Sequence, residues 1–385
     1  MIADRLDVDE PVARLRRMDW MMCRLAALLL LTACSSGAPG SGGVGPGAKT
    51  VPASVAPTSG HFALVGGTVV GVGLADVTIR DGKIEAVGEA ATEVEHVDAT
   101  GRFLVPAFID SHVHLTYYPV AEQLLNHGIV AAVDLAAPLD AFSVDVQPLT
   151  LLASGPMITA VHGYPTLDWG SDGYGLEVAT PEAATAAVDQ LFADGAALIK
   201  TPFTSEPSLS AEAVQAVVAR AHEHQLKVVA HALEASAAAR AASAGVDVLG
   251  HTPVEPLDEA TLAAFSDKAV ITTLAAFGGA PATLANLKAL RERGATILYG
   301  TDLGNTRDSA IQVAELQLLA QAGLDGAAIL ASGTTTPAAY FGFSDLGSIT
   351  PGKRAALLVL AQDPLQTPET LAVPVQVYID GTRRN

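Results

Sequence analysis

The chain has 385 residues, half of them hydrophobic and only 16% charged, with 41 acidic against 22 basic side chains and a formal net charge of −19. So acidic a chain is repelled by nucleic acid and by anionic membrane surfaces, and neither is an expected partner. The apolar content argues against disorder in the bulk of the chain, and 2 cysteines exclude a disulfide-built scaffold.

The opening segment reads as a targeting signal. Arg24 precedes an apolar run that ends at Cys34 and is too short to span a bilayer as a helix. Leu31-Thr-Ala-Cys34 resembles the bacterial lipobox, at which the cysteine becomes the lipidated first residue of the mature chain; an ordinary signal peptide is the alternative. The resemblance implies a signal peptide over 1–33, lipidation at Cys34 and an exported lipoprotein, its only membrane contact being the lipid anchor. Serine directly after the cysteine resembles the outer-membrane sorting pattern. Asp4, Asp7, Asp9, Glu10 and Asp19 are unusual in a targeting segment and fit a later start at Met18 or Met21. Residues 34–60, rich in Ser, Gly, Pro and Ala, read as a flexible tether.

From Phe62 short β-rich runs take over, at 63–65, 75–80 and 83–87, the last two joined by the hairpin dipeptide Asp81-Gly82. Runs of the same character at 355–360 and 375–381 end the chain, so a small composite β-sandwich is expected from 61–103 and 346–385. Between them, over 104–345, apolar runs alternate with amphipathic helices. Strands are predicted at 104–115, 129–135, 156–161, 196–203, 227–232, 246–251, 270–275 and 296–302. Helices are predicted at 181–193, 210–221, 234–244 and 282–293, with Ser210 as a cap. This alternation predicts an α/β chain folded as a (β/α)8 TIM barrel. A doubly wound open sheet is the alternative, weakened by the lack of Gly-x-Gly-x-x-Gly after the first strand.

The first predicted barrel strand carries Asp110-Ser-His112-Val-His114. Histidines two apart on a strand project to the same side, and barrel chemistry is built at the C-terminal strand ends. Lys200, His231, His251 and Asp302 stand at the ends of the fourth, fifth, sixth and eighth strands. Each alone has a plain structural reading: a snorkelling lysine, histidines satisfied by backbone, a turn at Gly300-Thr-Asp302. Together, in this order, they resemble the amidohydrolase superfamily, specifically its members with a two-metal centre. The likeness is strongest to prolidase-like and imidazolonepropionase-like enzymes, through Val105-Pro-Ala-Phe-Ile-Asp-Ser-His-Val-His114, Val229-Ala-His-Ala232, Ala244-Gly-Val-Asp-Val-Leu-Gly-His251 and Leu346-Gly-Ser-Ile-Thr-Pro-Gly-Lys353.

The resemblance implies a metal-dependent hydrolase of an amide or other C–N bond in a small molecule, such as a dipeptide or an N-acyl amino acid. It implies two divalent ions, expected to be zinc. His112, His114 and Asp302 would hold the first and His231 with His251 the second, with Lys200 bridging them as a carboxylated lysine. A hydroxide generated by the metals would attack the substrate, with Asp302 as general base. Two alternatives stay open: a mononuclear imidazolonepropionase-like cyclic-amide hydrolase or deaminase, and a surface lipoprotein that binds a ligand or metal without turnover. His162, Tyr117 and Tyr164 are expected substrate contacts, and the loop 167–174 is expected to close over the site. No arginine stands out as a carboxylate anchor. The chain departs from the family where Lys200 is followed by Thr-Pro-Phe-Thr rather than a Gly-rich stretch, and where Ala356 replaces a usual aspartate. The oligomeric state is not legible.

Overall fold

Asp76–Arg80 and Lys83–Gly88 pair antiparallel across a turn in which Asp81 and Gly82 take φ of 49° and 78°. A tight hairpin needs that left-handed pair, and Asp-Gly supplies it with little strain. This hairpin belongs to the folded part of a computed structural model that describes residues 57, 60–205 and 207–385. The signal peptide, Cys34 and most of the tether fall outside the described residues, as does the unit Met1–Ala53.

His61–Val65 and Glu95–Asp98 extend the hairpin to a four-stranded sheet. A six-stranded sheet draws on both chain ends. Thr68–Val69, Gly73–Leu74 and Phe103–Pro106 come from one end, and Leu357–Leu360, Gln376–Ile379 and Thr382–Arg383 from the other. Strand alternation gathers Phe62, Leu64, Val77, Ile79, Leu104, Leu357 and Tyr378 into one buried apolar cluster.

The predicted strand 104–115 is in fact two strands in different sheets. Phe103–Pro106 pairs with Leu357–Leu360, whereas β1 (Phe108–Val113) enters a parallel layer. The switch takes one residue: Ala107 N donates to Ala356 O, and Phe108 N donates to Gly128 O. It follows Pro106, which has no N–H with which to continue a ladder. The parallel layer continues through β2 (Ile129–Asp134), β3 (Met157–Ala160), β4 (Ile199–Pro202), β5 (Val228–His231), β6 (Val248–Leu249), β7 (Ala269–Ile271) and β8 (Thr296–Leu298).

Helices cover this layer, and their ends follow local chemistry. Thr180 and Ser210 cap Pro181–Asp194 and Ala211–Glu223 by accepting from Ala183 N and Ala213 N. Gly195 and Gly245 end Pro181–Asp194 and Ala235–Ala244 in left-handed conformations. The face buried by Ala211–Glu223 is Val214, Val217, Val218 and Ala221, at helical spacing. Among the described residues no helix is long and apolar enough to cross a membrane.

The fold is therefore α/β and of TIM-barrel type, but its ladders do not form the continuous eight-stranded ring expected. β4–β8 make a five-stranded arc, β1 and β2 pair in a second arc with Thr150–Ala153, and β3 pairs with Gly175–Val178. Isolated hydrogen bonds join the arcs: Ser111 N to Tyr299 O and Asp302 N to His112 O, both 2.9 Å, and Ala197 N to Ala153 O, 3.0 Å. Past β8, Gly300 brings the chain hard against β1 and β7. A Cβ there would lie 2.4 Å from Ile271 Cγ2 and 3.2 Å from His112 N. Gly300→Ala is therefore expected to cost about 1–3 kcal/mol of stability, read by thermal unfolding.

Candidate metal centre

β1 is buried along its whole length and delivers His112 and, one residue past its end, His114. Asp110 lies beneath them, fully buried. It accepts from His112 N at 3.1 Å, from Thr301 N at 3.1 Å and from Thr301 Oγ1 at 2.5 Å. That carboxylate ties the end of β1 to the loop after β8, which carries Asp302. Desolvation pushes the Asp110 carboxyl up to about 7. Asp302, at φ 55°, turns Oδ1 to within 3.1 Å of His114 Nε2 and 3.5 Å of His112 Nε2. The three side chains offer ligand atoms within 4.8 Å of one another.

His231 ends β5, and His251 follows β6 by two residues; His231 Nδ1 and His251 Nε2 face each other at 3.0 Å. The His251 ring is 4.5 Å from that of His112, so the pair adjoins the first group. Two outer contacts orient the rings. His112 Nδ1 lies 2.7 Å from Gly250 O, and since a carbonyl only accepts, Nδ1 carries the proton and Nε2 is a bare lone pair. His251 Nδ1 lies 3.1 Å from Thr273 Oγ1.

Lys200, on β4, is fully buried and its Nζ has no hydrogen-bond partner. Gly250 makes the space for it: a Cβ there would lie 2.7 Å from Nζ and 2.9 Å from Ala230 O. Burial lowers the Lys200 amine to about 7 and His231 to about 3, and it drives His112 and His251 well below the usual histidine range.

These residues fit a divalent metal. His112 Nε2, His114 Nδ1 and Lys200 Nζ are buried polar atoms without hydrogen bonds, each at a cost of about 1–3 kcal/mol. Neutral imidazoles and a carboxylate are the donors that zinc and similar ions prefer.

Of the three expected substrate contacts, two lie beside this group. The Tyr164 ring stacks on His231 at 4.8 Å, and its hydroxyl accepts from Trp169 Nε1 at 2.8 Å. Trp169 covers His114 at 5.0 Å, and Tyr117 packs on Trp169 at 5.4 Å. His162 stands elsewhere: its side chain is 69% exposed, its backbone N donates to Glu177, and among the described residues no hydrogen bond or ring contact joins it to the cluster.

Several contributing residues escaped the sequence reading. Asp134 ends the apolar run of β2, as Lys200 interrupts that of β4, and accepts from Leu115 N, Thr116 N and Ala136 N; its position at a strand end was a usable signal. Thr273 gave no signal. Glu315 gave one, an acidic residue on the buried face of Val313–Gln321 beside Leu316 and Leu319. It accepts from Leu274 N at 3.0 Å and Ala275 N at 2.7 Å, so it holds the turn between Thr273 and Phe277, and Phe277 packs edge-on to His251.

Burial pushes the Glu315 carboxyl up to about 7. The folded state thus holds this proton more tightly than the unfolded chain. Its contribution to stability is present at low pH and is lost as pH rises from the ordinary glutamate range through about 7. Glu315→Gln should remove that dependence. The gap in melting temperature between wild type and variant should change across pH 5 to 8 in this direction, and a constant gap would contradict it.

A family model described as the amidohydrolase family matches residues 103–384. An adenine deaminase from Deinococcus deserti is 28% identical over 309 residues, covering 74% of this chain and 53% of that protein. The chain thus spans about half the length of that relative, and its matches to two other adenine deaminases cover 11% of each. Among solved structures, a candidate prolidase from Bifidobacterium longum is similar with a TM-score of 0.72 and 26% identity, over 85% of this chain and 95% of that one. A Xaa-Pro dipeptidase with bound methionine in its active site gives a TM-score of 0.71 over 84% of this chain and 99% of that one; at 20% identity it speaks for the fold alone.

Proposed function

The chain belongs to the amidohydrolase family, and from that membership we propose that it is a metal-dependent hydrolase of C–N bonds acting on a small amide such as a dipeptide or an N-acyl amino acid. The observation that carries this reading is the convergence of His112, His114 and Asp302 within 4.8 Å, beside the His231–His251 pair and the unpartnered amine of Lys200.

In this reading His112, His114 and Asp302 would hold one divalent ion, zinc by donor type. His231 and His251 would hold a second, and Lys200, as its carbamate, would supply an anionic oxygen donor to them. Such ions, when bound, polarise a carbonyl and acidify water. The chain's own residues do the rest. Gly250 O and Thr273 Oγ1 fix the orientations of His112 and His251. Asp302 takes a proton from the attacking water and returns it to the leaving nitrogen as the C–N bond breaks. Lowered to about 7, Lys200 is available as the neutral amine that adds carbon dioxide and releases a proton to solvent. Tyr164 and Trp169 wall the centre with ring surface and limit water around it.

The adenine deaminase likeness favours a second reading, a mononuclear deaminase or cyclic-amide hydrolase. Metal analysis together with a substrate panel separates the two. Nearly two ions per chain and amine release from open-chain amides are expected. One ion, with ammonia released from adenine or ring opening of a cyclic amide, would favour the second reading. A metal-replete protein that turns over nothing in the panel would leave a ligand-binding lipoprotein.

We also propose export and lipid anchoring of Cys34 to the outer membrane, supported by Leu31-Thr-Ala-Cys34. Cys34→Ala is expected to move the protein from the membrane pellet to the soluble fraction. The six-stranded sheet drawn from both chain ends supports a composite β-sandwich of 61–103 with 346–385 beside the 104–345 body.

A further inference from the structure

Arg307 follows Asp302 by one turn of loop on the C-terminal side of β8. Its guanidinium lies over two aromatic faces, 4.6 Å from the centre of the Tyr118 ring and 5.3 Å from that of Tyr117. Both tyrosines belong to the loop that leaves His114. Tyr117 packs on Trp169, and Trp169 covers His114, so an unbroken run of ring contacts links the guanidinium to the ligand cluster.

A guanidinium held over aromatic faces by cation–π attraction keeps its five N–H donors available for another partner. Among the described residues no ion pair or hydrogen bond engages Arg307. By contrast Arg80, Arg220, Arg293, Arg354 and Arg384 each pair with a carboxylate. Arg240 and Arg291 spend donors on backbone carbonyls, at Thr204 O and Gly323 O. Arg307 is exposed beside the tyrosine loop that leaves His114, with its donors unspent.

We infer that Arg307 is a specificity-determining residue that receives a carboxylate of the substrate through a bidentate, charge-assisted pair. The substrate class is then an amide bearing a free carboxylate, a dipeptide or an N-acyl amino acid, and not a neutral heterocycle. The inference rests on the hydrolase reading for the reaction and on the Arg307 geometry for recognition.

The test compares dipeptides and N-acyl amino acids, each as free acid and as carboxamide, on metal-replete wild type, R307M and R307K. Wild type is expected to prefer the acids. R307M should raise KM for the acids about tenfold or more, as loss of one charged pair implies, with little change in kcat, and so erase the preference. R307K should recover part of it. An equal loss on acids and carboxamides in R307M would mean that Arg307 only supports the tyrosine loop, and would overturn the inference, as would an unchanged acid preference. Calorimetric binding of the same probes separates the two readings. Acid-selective binding that R307M abolishes, without turnover by wild type, sinks the hydrolase reading and keeps the anchor. Binding by wild type that does not distinguish acid from carboxamide, or no binding of either, sinks the anchor.

Discussion

Asp302→Asn is expected to lower kcat on the order of 10³-fold while the chain stays folded, as removal of a general base does. The substitution suits this position because asparagine tolerates the left-handed φ of 55° as well as aspartate does, so the backbone has no reason to move. The size and shape of the side chain are kept, as is an acceptor for Asn305 Nδ2, which now donates to Oδ1 at 3.2 Å. What is lost is an oxygen able to take a proton and the charge that faces His114 at 3.1 Å and His112 at 3.5 Å. Steady-state kinetics on an open-chain amide, together with metal content, read the effect. Turnover within tenfold of wild type would remove Asp302 from the chemistry.

The second large effect is on metal content. Lys200→Met keeps the volume and the apolar stem and deletes only the amine, which is buried without a partner. In metal-free protein the variant should be as stable as wild type or more so, because an unsatisfied buried donor costs about 1–3 kcal/mol. In metal-replete protein it should hold close to one ion instead of two and lose activity by on the order of 10²-fold, the loss of a bridging ligand. Stability and function move in opposite directions, which a merely structural lysine would not produce. Full metal content in Lys200→Met would remove the bridging role.

The ligand candidates were legible because their positions follow from chain geometry. The period of a strand puts His112 and His114 on one side, and an apolar run that reaches a polar residue marks Lys200, His231 and His251. The helices were legible through their caps, Thr180 and Ser210 at the start and Gly195 and Gly245 at the end. The change of sheet within 104–115 was not, because both halves are equally apolar and only Pro106 marks the break. His162 looked like its counterparts at a strand end, yet the chain takes φ 60° there and the ring is left at the surface. The supporting contacts were beyond reach for a different reason: the acceptor for His112 lies 138 residues away at Gly250, and nothing local announces it. Arg307 was hidden likewise, since its meaning depends on tyrosines that are distant in sequence, in the loop after β1.

Gly250 brings together two demands of the candidate centre. Its carbonyl orients His112, and its missing side chain leaves room for the Lys200 head group, with backbone of β5 on the third side. The surroundings of His112 and Lys200 therefore cannot be retuned separately. Any side chain at 250 would crowd the Lys200 head group at the same residue whose carbonyl holds His112, so a redesign that varies only the candidate ligands leaves unvaried the position that couples them.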